Sequence, residues 1–103
     1  MLKKRFIKSR KSCMVTFELP KTMTSEAKTV ALVGEFNDWD ATATPLKKIK
    51  GVWKTTHEFD QDQEIQYRYL VNDAEWHNDW EADKYVPNAI DGDNSVVETY
   101  NNN

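Results

Sequence analysis

Five short runs of β-branched and aromatic residues, none with a helical period, constrain this chain more than any other feature. Met14–Leu19 stops at Pro20, and Thr29–Val33 runs into Gly34. Trp53–Phe59 and Ile65–Val71 alternate, and Ser95–Thr99 comes near the C-terminal end. Such residues pack well on a pleated surface. No segment has the apolar stripe of an amphipathic helix, and Ser25–Lys28 is long enough only for a turn. Short strands separated by polar turns predict an all-β sandwich. Lys50-Gly51 and Asn72-Asp73 suit the turns of hairpins.

Period-2 alternation sorts the side chains. Ile65, Tyr67, Tyr69 and Val71 share one face of their strand, which reads as core. Gln66, Arg68 and Leu70 share the other, so Arg68 points away from the core on a strand, not on a loop. Trp53, Thr55, His57 and Phe59 share a core face, which makes Trp53 a structural tryptophan.

The length of 103 residues allows one domain, able to bury a core without metal or disulfide. Cys13 is the only cysteine and is expected as a half-buried thiol in a strand. Residues 1–12 hold six of the 14 basic residues and no acid, and read as a basic arm ahead of a domain at 13–99. Residues 100–103 read as a frayed tail. Outside the arm, eight basic residues face 17 acidic ones, a net of −9 that repels phosphate backbones and argues against nucleic acid. No signal peptide or membrane helix is legible, so a cytoplasmic protein without a membrane partner is expected.

Three of the four tryptophans sit in polar surroundings. Trp39 ends Glu35-Phe36-Asn37-Asp38-Trp39-Asp40, while Trp76 and Trp80 lie in the segment from Asn72 to Trp80. Exposed aromatic surface marks binding sites, and an indole stacks on the C–H face of a pyranose while Arg, Asn and Asp bond its hydroxyl rim. The other reading, in which Trp39 and Trp76 fold back as lids on the sandwich, stays open at this point. Catalytic readings are weaker. Asp38, Asp40, Asp73, Asp79, Glu81, Asp83, Asp91 and Asp93 all fall in polar turns, as on any solvated surface. A glycosidase needs two carboxylates about 5–9.5 Å apart with one in an apolar setting. His57 and His77 lie on different segments with no nucleophile motif nearby. Asp91-Gly92-Asp93-Asn94 is only a fragment of a calcium loop, and no cofactor or metal is expected.

Four motifs, in order and spacing, resemble carbohydrate-binding module family 48: Leu32–Trp39, Tyr67–Val71, Trp76–Asp79 and Asn94–Val97. The likeness covers about residues 13–99. That family includes the glycogen-binding domain of the AMP-activated protein kinase β subunit and the early-set domains of isoamylases and branching enzymes. The resemblance implies an immunoglobulin-like sandwich that binds α-glucan without catalysing a reaction. It implies Trp39 and Trp76 as stacking platforms, Arg68 where the glycogen binders carry a lysine, Ile90 as the apolar insert into a curved glucan, and Asn94 as a polar contact. Asp38 replaces the second asparagine of the Phe-Asn-Asn turn, and the turn before Trp76 is one residue longer. The alternative it implies is an accessory module docking on a separate glycogen-metabolising enzyme, since in many debranching enzymes this module is structural. A hydrolase in its own right is not expected, because about 100 residues cannot hold a catalytic barrel.

Overall fold

A computed structural model describes residues 2–19, 27–88, 90 and 92–100. The turn expected at Ser25–Lys28, the tail at 100–103 and Asp91 of the calcium-like fragment lie partly or wholly outside them. Nine strands are present among the described residues: β1 (Leu2–Ile7), β2 (Ser12–Glu18), β3 (Val30–Gly34), β4 (Lys47–Ile49), β5 (Val52–Asp60), β6 (Glu64–Val71), β7 (Glu75–His77), β8 (Lys84–Asn88) and β9 (Gly92–Glu98). They form two antiparallel sheets. The back sheet runs β1-β2-β5-β4 and the front sheet β3-β6-β9-β8, with β7 also on β6. This is the expected immunoglobulin-like sandwich.

The core lies where the inner faces meet. Val15, Phe17, Trp53 and Phe59 of the back sheet pack against Leu32, Ile65, Tyr67, Tyr69, Val71 and Val97 of the front sheet. Both alternation patterns therefore place their core faces as expected. Phe17 and Tyr67 meet edge to face across the sandwich, ring centroids 5.1 Å apart. Burying each such side chain contributes about 1.5–3 kcal/mol, so this layer dominates the stability of the domain. Cys13 is fully buried, not half-buried, because its strand places it opposite Phe59 on the inner face.

The N-terminal segment is not a free arm. Leu2–Ile7 pairs along its whole length with β2, Leu2 opposite Phe17 and Ile7 opposite Ser12. Leu2 and Phe6 supply apolar side chains to the core margin, and Lys4 reaches across the sandwich to the Asp83 carboxylate at 2.6 Å. The lysines and arginine between them keep this edge strand from pairing with another chain. The sandwich therefore begins at Leu2 and not at residue 13, and the fully buried Thr99 still belongs to it.

Two turns use the backbone as expected. Lys50 and Gly51 have φ of 51° and 81°, and Asn72 and Asp73 of 54° and 57°, the positive values of a type I′ hairpin turn. Gly34, at the end of β3, is required for a different reason. Its φ is ordinary, but an added Cβ would sit 2.5 Å from the Gln66 carbonyl oxygen. Gly34→Ala is expected to cost about 3 kcal/mol through that backbone collision, read as a lower urea midpoint at unchanged slope.

His57 packs against Phe36 and Phe59, with centroids 4.8 and 4.6 Å away. Burial holds its imidazole below the ordinary value of 6.5. The unfolded chain therefore binds the proton more readily, so this contribution to stability is complete above 6.5 and fades as pH falls through the depressed folded value. Urea melts at pH 7.5 and 5.5 should show a smaller pH effect in His57→Phe than in the parent.

Candidate functional site

The outward face of β6 carries Gln66, Arg68 and Leu70, and cross-strand pairing extends that face. Leu70 lies opposite Trp76 of β7 and Ala31 of β3, while Arg68 lies opposite Val33. Gln66 lies opposite Val96 of β9, and by alternation Asn94 shares its side. Val86 of β8 pairs with Asn94, so Asn88, two residues on, joins the same face. Ala31, Val33 and Leu70 make a small apolar floor covered by Ala41.

A cleft of about 490 Å³ opens beside this floor, lined by Glu35, Trp39, Gln66, Arg68, Trp76, Asn88, Ile90 and Asn94. The structure thus brings Trp39, Arg68, Trp76, Ile90 and Asn94 to one place from five separate segments. Glu35, Gln66 and Asn88 are additions. Trp39 and Trp76 are 41% and 48% exposed, so neither is a lid folded on the sandwich. Trp76 stands on a short strand, not in a loop, because Glu75–His77 pairs with Tyr69–Val71. Trp80 is exposed but lies outside the lining of this cleft.

The loop after β3 sets Trp39. The Asn37 carboxamide accepts from the Gly34 N–H at 3.0 Å and donates to the Leu32 carbonyl at 3.0 Å and to Thr44 Oγ1 at 3.1 Å. Asp38 and Trp39 both take left-handed φ, 56° and 58°, and the Trp39 N–H returns to the Gly34 carbonyl at 2.9 Å. Glu35 closes the loop onto the sheet by accepting the Gln66 N–H at 2.7 Å. The loop then runs back along the free edge of β3, with the Leu32 N–H on Thr44 O and the Leu46 N–H on Val30 O, both at 2.8 Å. This contact covers an edge that would otherwise be open and seats the indole beside the floor.

The polar lining is also held. Arg68 is buried, and its Nη2 donates to the Asp93 carbonyl at 2.6 Å. A row of amides crosses the cleft: Asn88 Nδ2 donates to Asn94 Oδ1 at 3.1 Å, and Asn94 Nδ2 donates to Gln66 Oε1 at 2.9 Å. The Ile90 N–H donates to Asn88 Oδ1 at 2.9 Å, and the Ile90 side chain above it stands 93% exposed. The bonds fix which end of each carboxamide faces which neighbour.

One sequence expectation fails here. Asp79 was grouped with solvated turn carboxylates, yet it is 1% exposed. Its Oδ2 accepts from the hydroxyls of Tyr67 at 2.9 Å and Tyr69 at 3.1 Å, and its Oδ1 accepts the Glu81 N–H at 3.0 Å. Burial pushes both tyrosine hydroxyls up, so they stay protonated and donate. Tyr67 and Tyr69 belong to the core face of β6, so this carboxylate stands behind the sheet and not in the cleft. Gln66 was legible from alternation, which put it beside Arg68. Glu35 and Asn88 gave no signal, because only the loop closure and the β8–β9 register bring them in.

A family model of carbohydrate-binding module 48, the isoamylase N-terminal domain, matches residues 21–86. Among solved structures, the enterobactin esterase of Shigella flexneri is similar with a TM-score of 0.71 at 13% identity, over 95% of this chain and 32% of that one. At that identity the likeness shows the fold alone, and this chain spans about a third of that protein. No curated protein matches the chain. The chain belongs to the carbohydrate-binding module 48 (isoamylase N-terminal domain) family, whose modules bind carbohydrate and are not themselves catalytic.

Proposed function

We propose that the cleft binds α-glucan: glycogen, starch-like chains or malto-oligosaccharides. The observation that carries this reading is the convergence of Trp39, Arg68, Trp76, Ile90 and Asn94 on one 490 Å³ cleft. Two indoles on different segments offer stacking faces for two pyranose rings. Arg68 and the amides Asn94, Gln66 and Asn88 offer donors and acceptors to the hydroxyl rim. Ile90 projects where a curved chain presents its hollow. An α-1,4-linked chain curves and can meet all of these at once, whereas a β-1,4-linked ribbon is flat. The anchored Arg68 and amide row lose little freedom on binding, which favours affinity.

A second reading has its own observation. Residues 2–18 and 47–60, which build the back sheet, carry ten basic and three acidic side chains. That layer faces away from the cleft and suits an acidic protein surface, such as that of a glycogen-metabolising enzyme. Docking there would leave the cleft free, so the two readings are compatible.

Calorimetric titration with maltoheptaose tests the first reading. Trp39→Ala and Trp76→Ala are each expected to weaken binding about tenfold or more, by analogy with the roughly 1–3 kcal/mol of an aromatic stacking platform. Thermal melts of both variants should stay close to the parent, because both rings are exposed. Unchanged affinity in either variant removes that ring from the site.

A further inference from the structure

The front sheet has a seam beside β6. Strands β7 and β9 lie on the same side of β6, end to end. The β7 ladder ends at His77 opposite Tyr69, and the β9 ladder begins at Ser95 opposite Tyr67. After His77 the chain leaves the sheet, and Asp79 turns inward to the core tyrosines. Cleft side chains lie on both sides of this seam: Trp76 on β7, Arg68 at the gap, Asn94 on β9.

Asn78 fills the seam. Its Oδ1 accepts from the Ser95 N–H at 3.0 Å and from Ser95 Oγ at 2.9 Å. Its Nδ2 donates to the Asp93 carbonyl at 2.9 Å. That carbonyl also receives Arg68 Nη2 at 2.6 Å. The side-chain amide thus bonds residues 93 and 95 as the N–H and C=O of a single residue on a neighbouring parallel strand would. Ser95 Oγ in turn accepts the Asp79 N–H at 2.8 Å, which ties the same point to the buried tyrosine–carboxylate network.

We propose that Asn78 is a positioning residue for the cleft, setting Trp76, Arg68 and Asn94 relative to one another without touching the ligand. The chemistry singles out a carboxamide of this length. An aspartate would keep the acceptor for Ser95 but set an oxygen against the Asp93 carbonyl. A serine is too short to span both residues. The assignment of a purpose to this geometry rests on the glucan reading, but the geometry and its effect on the side chains are testable without sugar.

The test is NMR on the sugar-free protein. In the parent, a scalar coupling across the hydrogen bond from Asn78 Nδ2 to the Asp93 carbonyl carbon is expected, and its absence overturns the proposal. In Asn78→Ala, the Ser95 amide should exchange about fivefold faster, as the loss of one hydrogen bond implies. The Trp76 indole and the Arg68 guanidinium should gain fast motion, while the Trp39 indole, on a separate loop, should not. Asn78→Asp keeps the Ser95 acceptor and is the variant to use should alanine unfold the chain; it should leave Ser95 protected and free the Trp76 indole, while its carboxylate draws the adjacent Arg68 guanidinium toward it. Folded variants in which the Trp76 indole moves no more than in the parent contradict the proposal. With maltoheptaose, Asn78→Ala should weaken binding about fivefold, and less in a Trp76→Ala background, as coupled sites do. Additive effects would contradict positioning of Trp76, whereas a parent that ignores the sugar would overturn the glucan reading alone.

Discussion

The two-faced side-chain sequence of β6 sends Ile65, Tyr67, Tyr69 and Val71 into the core and Gln66, Arg68 and Leu70 to the opposite side. A slip of one residue would bury an arginine among aromatic rings and expose two tyrosines, so the register is strongly fixed. The core face anchors the strand against Phe17 and Phe59 of the back sheet. The cleft inherits its rigidity from that anchorage. β3, β7 and β9 take their places by pairing with β6, and with them come Trp39, Trp76 and Asn94.

The cleft is assembled before any ligand arrives. Asn37 ties the Trp39 loop to β3, and the amide row from Gln66 through Asn94 to Asn88 spans the lining. Left-handed backbone at Asp38 and Trp39 disfavours ordinary side chains by about 1–3 kcal/mol per residue, and it is held here by the surrounding hydrogen bonds. The surface charge–charge contacts weigh less. The pairing of Arg10 with Glu58 is exposed, and such pairs contribute about 0–1 kcal/mol. Aromatic burial and backbone pairing, not ion pairs, decide this fold.

Much of the molecule was legible in the sequence because its central strands are runs of β-branched and aromatic residues. β2, β5 and β6 also alternate, whereas β3 is buried along its whole length and β9 holds adjacent buried residues, Val96 and Val97. The strands that escaped reading have physical reasons to do so. β4 and β7 have three residues each, too short for a period. β8 contains Pro87, which a sheet tolerates at an edge. β1 is Leu-Lys-Lys-Arg-Phe-Ile, and its charges, which protect an edge, read in isolation as a solvated arm. The five candidate cleft residues were named from strand alternation and from family resemblance, and they meet in space. Asn78 and Asp79 could not be sorted from sequence, since two adjacent polar residues in a polar segment give no hint that one spans a seam and the other is buried. Only the exchange of β7 for β9 beside β6 assigns them.

The central claim is that this cleft takes an α-glucan, and the most direct measurement is a chemical-shift titration of the labelled protein with maltoheptaose against cellohexaose. The account predicts shifts centred on Trp39, Gln66, Arg68, Trp76 and Asn94, with the α-linked sugar only. Equal shifts with cellohexaose, shifts confined to the back sheet, or none at millimolar maltoheptaose would contradict it.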